Sequence, residues 1–346
     1  MFLVSDPKPG LLERLDAGGA VCAEGYLFEC ERRGYVQAGA FVPEVVLDHP
    51  EAVSSLHREF VHAGSDIVEA FTYYGHREKL RLVGKEDILE PLNRNALAIA
   101  RAVAEESGTL LAGNLCNTNL WADENARPTV RSMFAEQVGW AVEEGAELLI
   151  GETFSYLDEA LLCVEMMRES GLPTVITLVF HREDVTRDGY PAADAAKALE
   201  QAGADVVGVN CGRGPATTLP LLRTITDAVS CHVAALPVPY RTTPSQPTMQ
   251  ALTDPLLPEQ RPFPTALDPF TCTRYEMGDF ASQAYEMGVR YLGVCCGAGP
   301  HHIRAVAEAM DRWTPASVYT PDMSKHAYLG TDPTLKAGNQ QYASLL

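Results

Sequence analysis

The sequence contains no apolar run approaching the roughly 20 residues needed to cross a bilayer. Its opening residues, MFLVSDPKPG, lack the basic start and long apolar stretch of a secretory signal. These absences lead us to expect a cytoplasmic protein without a membrane partner. Positive charge is scarce as well: 27 Lys and Arg stand against 46 Asp and Glu, giving a net charge of -19. Such a chain repels a phosphate backbone, and no basic patch offsets the repulsion, so nucleic acid is not an expected partner. No Gly-x-Gly-x-x-Gly follows the first strand-like segment, which disfavours an open dinucleotide-binding sheet.

The 346 residues are 46% hydrophobic and 21% charged, a composition with ample material for a buried core, which excludes disordered and collagen-like classes. Nine cysteines are present: Cys22, Cys30, Cys116, Cys163, Cys211, Cys231, Cys272, Cys295 and Cys296. An odd count with an adjacent pair, in a chain large enough not to need disulfide staples, points to metal binding or catalysis for any cluster.

Short runs rich in Val, Ile and Leu alternate with longer segments of helical periodicity. The runs predict strands over 21–28, 67–72, 110–115, 148–154, 174–180, 206–211, 233–238 and 291–295. Helical spacing of apolar residues covers 43–62, 87–107, 129–144, 157–170, 192–202, 216–229 and 275–287. Glycines such as Gly108 and Gly203 sit where a helix should close before the next strand. Eight such units predict an α/β fold, a single (β/α)8 TIM barrel occupying residues 1–313. Residues 239–274, rich in Pro and Thr, read as an enlarged loop after strand 7. Residues 314–346 read as a short C-terminal tail, an extension or an arm on a partner subunit, so a homo-oligomer is expected.

Function in such a barrel sits where strands end. The sixth predicted strand ends Gly208-Val209-Asn210-Cys211-Gly212 and the eighth Gly293-Val294-Cys295-Cys296-Gly297. Three thiols therefore reach one rim. Consecutive strand residues face opposite ways, so Cys295 and Cys296 can share an ion only if the backbone turns between them, which Gly297 and Gly299 permit. Three thiolates without a fourth Cys or His nearby describe an open Zn2+ site, its last position left for water or substrate. Each cysteine alone could equally be a small buried packing residue, the role that fits Cys163 and Cys231; Cys116 is ambiguous.

An open tri-thiolate zinc would hold a substrate thiol as its thiolate, which makes alkyl transfer to sulfur the implied chemistry. A methylammonium or methylsulfonium donor would suit aromatic walls through cation–π attraction. Phe41 and the strand end Phe71-Thr72-Tyr73-Tyr74 could supply them, although packing alone could also explain these rings. Glu152, in Gly151-Glu152-Thr153-Phe154, and Glu24, at the end of the first strand, could hold an amino-acid ammonium or merely pair with rim cations.

With these residues and the run Cys295-Cys296-Gly297-Ala298-Gly299-Pro300-His301-His302-Ile303-Arg304, the sequence resembles the zinc-dependent homocysteine S-methyltransferases, most of all their betaine-using branch. The likeness extends over about 11–312 and includes Arg33-Gly34-Tyr35-Val36, His49-Pro50-Glu51-Ala52-Val53, Leu56-His57-Arg58-Glu59-Phe60, Ala202-Gly203-Ala204-Asp205 and Gly288-Val289-Arg290-Tyr291. It implies an enzyme that moves a methyl group from a betaine-like small molecule to the thiol of homocysteine, giving methionine. By the same resemblance Cys211, Cys295 and Cys296 hold zinc. Tyr74 lines the donor site and can fill the metal's open position, and Glu152 holds the homocysteine amine. Phe41 stands where the betaine enzymes carry a cage tryptophan. Thr72, Tyr73 and Asn210 complete the expected substrate-contacting set.

The sequence also departs from the family. Where an acidic residue should follow the first strand's glycine, it has Ala23 with Glu24 beside it, and Thr153 replaces a tyrosine next to Glu152. Glu24 substitutes only if the backbone bends there. Two readings therefore stay open beside the first: demethylation of another betaine or a sulfonium compound with a different thiol as acceptor, and a non-catalytic ligand-binding barrel.

Overall fold

In the computed structural model, which describes residues 8–319, 323–334 and 336–345, eight strands join in chain order into one closed parallel barrel. They are β1 (Ala20–Ala23), β2 (Ile67–Glu69), β3 (Leu110–Cys116), β4 (Leu148–Phe154), β5 (Thr174–Leu178), β6 (Val206–Asn210), β7 (His232–Leu236) and β8 (Tyr291–Val294). The ring closes where Ala20, Val21, Cys22 and Ala23 pair with Tyr291, Leu292, Gly293 and Val294. Almost every strand residue is buried, because one side faces a packed barrel interior and the other the surrounding helices. This is the (β/α)8 barrel expected from the alternation of apolar runs and amphipathic segments. The opening residues 1–7, read above for a leader, and residues 320–322, 335 and 346 of the tail lie outside the described set.

Helices after the strands present their apolar stripe inward. Leu89–Ser107, for example, buries Leu92, Ala96, Leu97, Ala100, Val103 and Ala104. It stops at Gly108, whose φ of 71° reverses the chain into β3 without a Cβ penalty. No helix of the described residues is long and apolar enough to cross a membrane.

Several expected boundaries differ. The predicted strand 21–28 ends at Ala23, and Tyr26–Arg32 is a helix. A short apolar run cannot separate strand from buried helix, and Tyr26, Leu27, Phe28 and Cys30 are all buried in the helical form. The predicted helix 43–62 breaks into Val45–Asp48 and Pro50–Ala63. Pro50 lacks an amide proton and forces His49 out of helical geometry, to φ -144°, ψ 60°. Helix Pro300–Ala309, which completes the eighth unit, was not among the predicted helices.

Residues 237–273 between β7 and the helix Arg274–Glu286 hold only two short 3-10 turns, Met249–Ala251 and Asp268–Phe270, as the composition of this loop suggested. The register along β4 and β5 shifts between Gly151 and Phe154, which kinks the strand beside Glu152 and Thr153.

Candidate active site

The site is built at the carboxyl ends of the strands. Cys211 follows β6 directly, and its amide donates to the Leu236 carbonyl at 3.0 Å. It then enters the left-handed region at φ 56°, with Gly212 at 62°. On the far side β8 stops at Val294, and a turn closed by the Ala298 amide on the Cys295 carbonyl at 3.0 Å carries Cys295, Cys296 and Gly297. The backbone thus turns where the paired cysteines require it. Gly297 has φ 95°, and a Cβ there would lie 2.2 Å from the Tyr240 hydroxyl, so both conformation and space demand glycine.

The three sulfurs lie within 4.8 Å of one another, those of Cys295 and Cys296 at 3.9 Å. Tetrahedral zinc with sulfur at about 2.3 Å places ligand sulfurs about 3.8 Å apart, so the donor set fits in both number and spacing. Among the described residues neither a fourth cysteine nor a histidine joins the cluster. Hydrogen bonds from Cys295 and Cys296 hold the Cys211 thiol well below its ordinary range. Burial raises Cys295, and the bond to Cys211 raises Cys296. The cluster already favours a thiolate at Cys211.

Against the thiols lies a buried acid pocket. Glu24, just beyond β1, shares a cluster with Glu152 and Cys295, their ligating atoms within 4.8 Å of each other. The Asn210 side-chain amide reaches Glu24 Oε2 at 3.0 Å, Glu152 Oε2 at 2.9 Å and Thr153 Oγ1 at 2.9 Å. Asn114 donates to Glu152 Oε1 at 2.7 Å and to Glu69 Oε1 at 2.6 Å. Burial, then repulsion from Glu152, pushes Glu24 and Glu69 well above the carboxylate range. Burial pushes Glu152 up to about 8, the Cys211 sulfur adding to the effect and the Asn114 amide opposing it. Glu24 Oε1 is buried and has no hydrogen-bond partner among the described residues. An acceptor left bare among three carboxylates is suited to a cationic donor, since an unpaired buried acceptor is costly.

Above the thiols opens a cavity of about 270 Å³, with Cys211 and Cys296 on its surface and Phe41, Tyr73, Tyr74, Trp121 and Phe263 among its walls. The rings of Tyr73 and Tyr74 meet at a 40° tilt with centroids 4.4 Å apart, and Lys79 Nζ sits 4.6 Å from the Tyr74 centroid. Six non-glycine residues among those described have positive φ, and five of them, Phe41, Tyr74, Asn119, Thr153 and Cys211, line this one cavity. Backbone strain of this kind persists where surrounding structure enforces it, typically at a functional site.

The structure therefore gathers Glu24, Phe41, Tyr73, Tyr74, Glu152, Cys211, Cys295 and Cys296 at one mouth. The bend needed for Glu24 exists, because β1 has ended and Gly25 leads into a helix. Two expected contacts are placed otherwise. Thr72 is buried and donates to the Asn114 carbonyl at 2.9 Å, lining neither cavity. Asn210 lies behind the carboxylates and orients them rather than facing the large cavity. Sequence reasoning missed Glu69 and Asn114, whose signal was a polar side chain inside an apolar run (Ile67-Val68-Glu69-Ala70 and Ala112-Gly113-Asn114-Leu115). It also missed Trp121, Phe263 and the polar wall of Ser155, His181 and Arg187, which come from loops that carry no local signal.

A family model described as homocysteine S-methyltransferase matches residues 26–310. Betaine–homocysteine S-methyltransferase 1 of Xenopus tropicalis is 37% identical over 335 residues, covering 94% of this chain and 80% of that protein. An S-methylmethionine–homocysteine S-methyltransferase of Mus musculus is 34% identical over 331 residues, covering 94% and 87%. Among solved structures, the metallated homocysteine methyltransferase MmuM from Escherichia coli aligns with a TM-score of 0.66 at 18% identity, over 85% of this chain and 97% of that one. That likeness is one of fold.

Proposed function

Because the chain belongs to the homocysteine S-methyltransferase family, we propose that it transfers a methyl group from a betaine-type quaternary ammonium donor to the thiol of homocysteine, with zinc held by Cys211, Cys295 and Cys296. The observation that carries this reading is the meeting of three sulfurs with the Glu24–Glu152 pair at one strand-end rim. When bound, zinc supplies a Lewis acid that stabilises the acceptor sulfur as its anion at neutral pH.

The protein's own residues do the rest. Glu152 and Glu24 receive the acceptor's ammonium, which supplies the missing partner of Glu24 Oε1. Asn210 and Asn114 fix those carboxylates in place. Phe41, Tyr73, Tyr74 and Trp121 surround the donor's cationic end and exclude water. The sulfur–carbon bond forms as the carbon–nitrogen bond breaks, the electron pair remains on nitrogen, and the donor leaves as a neutral tertiary amine. Relatives named for betaine and for S-methylmethionine both align over most of the chain. The aromatic walls suit a small cation, so we rank betaine first. Transfer to a thiol other than homocysteine is not favoured.

The same reading assigns residues 1–313 to catalysis and 314–346 to a C-terminal extension or an oligomerisation arm. Nine free thiols suit a reducing, cytoplasmic setting. The test is zinc content together with methionine formation, read by mass spectrometry from homocysteine and a donor panel. We expect about one zinc per chain and methionine from betaine. Cys211→Ser should lose most of the metal and at least a hundredfold in kcat/KM while the barrel stays folded, since its hydrophobic core is built from apolar strand and helix residues and does not depend on a rim ion. Full activity in that variant would defeat the proposal.

A further inference from the structure

The wall of the large cavity across from Phe41 carries a positive charge that the methyl-transfer chemistry does not use. Phe41 follows β1 and Tyr73 and Tyr74 follow β2, whereas Arg187 lies in the segment between β5 and the helix Ala192–Gln201. In a ring of eight strands β5 stands across from β1, so Arg187 faces Phe41 across a cavity whose remaining walls also carry the rings of Trp121, Tyr156 and Phe263. His181, on the same wall, adds no charge. Burial lowers its pKa, helped by the nearby Arg187 and Arg213 guanidinium groups, and its Nε2 lies 3.1 Å from Ser155 Oγ.

The backbone of Arg187 is held in place, while its exposed side chain has no carboxylate partner among the described residues. Its amide donates to the Ser155 carbonyl at 2.8 Å. Asp188, the next residue, accepts from the amides of Leu157 and Asp158 at 3.0 and 3.1 Å, tying the turn to the start of the helix after β4. Thr186, buried, closes the turn through its amide on the Tyr190 carbonyl at 2.9 Å. The Arg187 guanidinium lies 6.0 Å from the Tyr156 ring centroid, and among the described residues no carboxylate pairs with it. Arg213, beneath the same segment, is by contrast spent on Asp184 at 2.8 Å and on the carbonyls of residues 180–183. The cavity's own acid, Glu159, is turned to Thr118, accepting from its amide at 2.8 Å and its hydroxyl at 2.6 Å. In a protein with 46 acidic side chains, an unpaired arginine on a rigid turn over a ligand cavity is a site for an anion brought in by the ligand.

We propose that Arg187 is a specificity-determining residue that binds the carboxylate of the methyl donor, so that the donor must be a zwitterion with its cation at the Phe41–Tyr74 wall and its anion across the mouth. The inference rests on reading this cavity as the donor site. It adds a selection rule: quaternary ammonium compounds without an acid group are poor ligands. Because Arg187 touches neither the transferred methyl nor the sulfurs, its effect falls on donor affinity rather than on the turnover of bound donor.

The test uses the zinc-loaded full chain and two ligands that share one cation, glycine betaine and its carboxamide, titrated by calorimetry. Wild type should bind the acid about tenfold more tightly than the amide, the low end for a charge-assisted contact at an exposed arginine. Arg187→Gln should bring the two within about threefold by weakening the acid, and Arg187→Lys should restore part of the gap. In turnover with betaine, Arg187→Gln should raise the donor KM by a similar factor with kcat nearly preserved. If wild type methylates homocysteine from betaine while the acid-to-amide ratio is the same in Arg187→Gln, the anion site is wrong and the donor reading stands. If wild type transfers methyl from no quaternary ammonium and binds neither ligand, the donor reading fails and takes this inference with it.

Discussion

Single residues at this barrel mouth carry conformations that their neighbours must enforce. Cys211, Thr153 and Tyr74 are all left-handed without being glycine, at a cost of order 1 kcal/mol each. Each is pinned by a bond from or to its own backbone: Cys211 to Leu236, Thr153 through its amide to Asn210 Oδ1 at 2.9 Å, Tyr74 through its amide to the Cys116 sulfur at 3.3 Å. That last contact gives the ambiguous Cys116 a structural role. Cysteines that run into a glycine at a strand end were legible as a cluster, because residue type and strand-end position sufficed. Glu69, Asn114 and Arg187 were not, because their meaning depends on which strands and loops converge. One residue tests how burial couples to pH. His57 is buried edge-on to the Tyr26 ring at 4.8 Å, and neither ring nitrogen has a hydrogen-bond partner among the described residues. Burial chiefly, and then the neighbouring Arg58, pushes its pKa down to about 3. The unfolded chain, near 6.5, therefore takes up a proton that the folded chain refuses, and this contribution to stability is present above pH 6.5 and lost as pH falls. Between pH 7 and 5 wild type should lose about 2 kcal/mol more stability than His57→Leu, which keeps the volume without the titration. Urea unfolding at the two pH values measures it; parallel losses in the two proteins would show that His57 takes up its proton while folded.

At the scale of elements, strand existence was readable and strand ends were not. Interior β positions are apolar on both faces, so a run of Val, Ile and Leu announces the strand. Its end is set by turns and bulges whose sequence signal is slight: β2 stops at Glu69 and β5 at Leu178, each short of the apolar run that predicted it. The turn from β8 into Pro300–Ala309 shows how much an end can matter, since it carries two of the three thiols. Gly297→Ala would place a Cβ against the Tyr240 hydroxyl and require a left-handed alanine. Tyr240 cannot easily yield, being fully buried and bonded at its hydroxyl by Arg32 at 2.9 Å. We expect a loss of about 2–4 kcal/mol, from the left-handed cost plus overpacking, and a zinc affinity reduced at least tenfold because Cys295 and Cys296 are displaced. Thermal unfolding and competition with a chromophoric chelator read the two effects. An unchanged metal affinity with a lowered melting temperature would mean that the turn adapts without moving the sulfurs.

For the whole molecule, the barrel was legible because eight repeats of one pattern reinforce each other, whereas the tail offered composition alone. Beyond Arg312 the described chain forms no strand, and its large apolar side chains face outward: Trp313 and Tyr319 are each 76% exposed, with Val318, Leu329 and Tyr342 exposed as well. The start of the tail nonetheless belongs to the barrel. Ser317 is buried, Thr314 and Ser317 bond to one another, and the Thr314 side chain packs beside Gly64 at the end of Pro50–Ala63. A cut that removes everything after Tyr319 spares that plug, together with Trp313, Val318 and Tyr319, and deletes the outward-facing part that carries Leu329 and Tyr342. Apolar side chains concentrated on one exposed segment are the usual mark of an association surface. The full chain should therefore sediment as an oligomer, and the shortened chain should shift to the monomer mass while keeping its melting temperature to within a few degrees and binding zinc, since the three thiols lie on β6 and β8 ends that the cut does not touch. Equal masses for the two chains would dissociate the tail from assembly, and a collapse in melting temperature would make it part of the barrel's own packing instead.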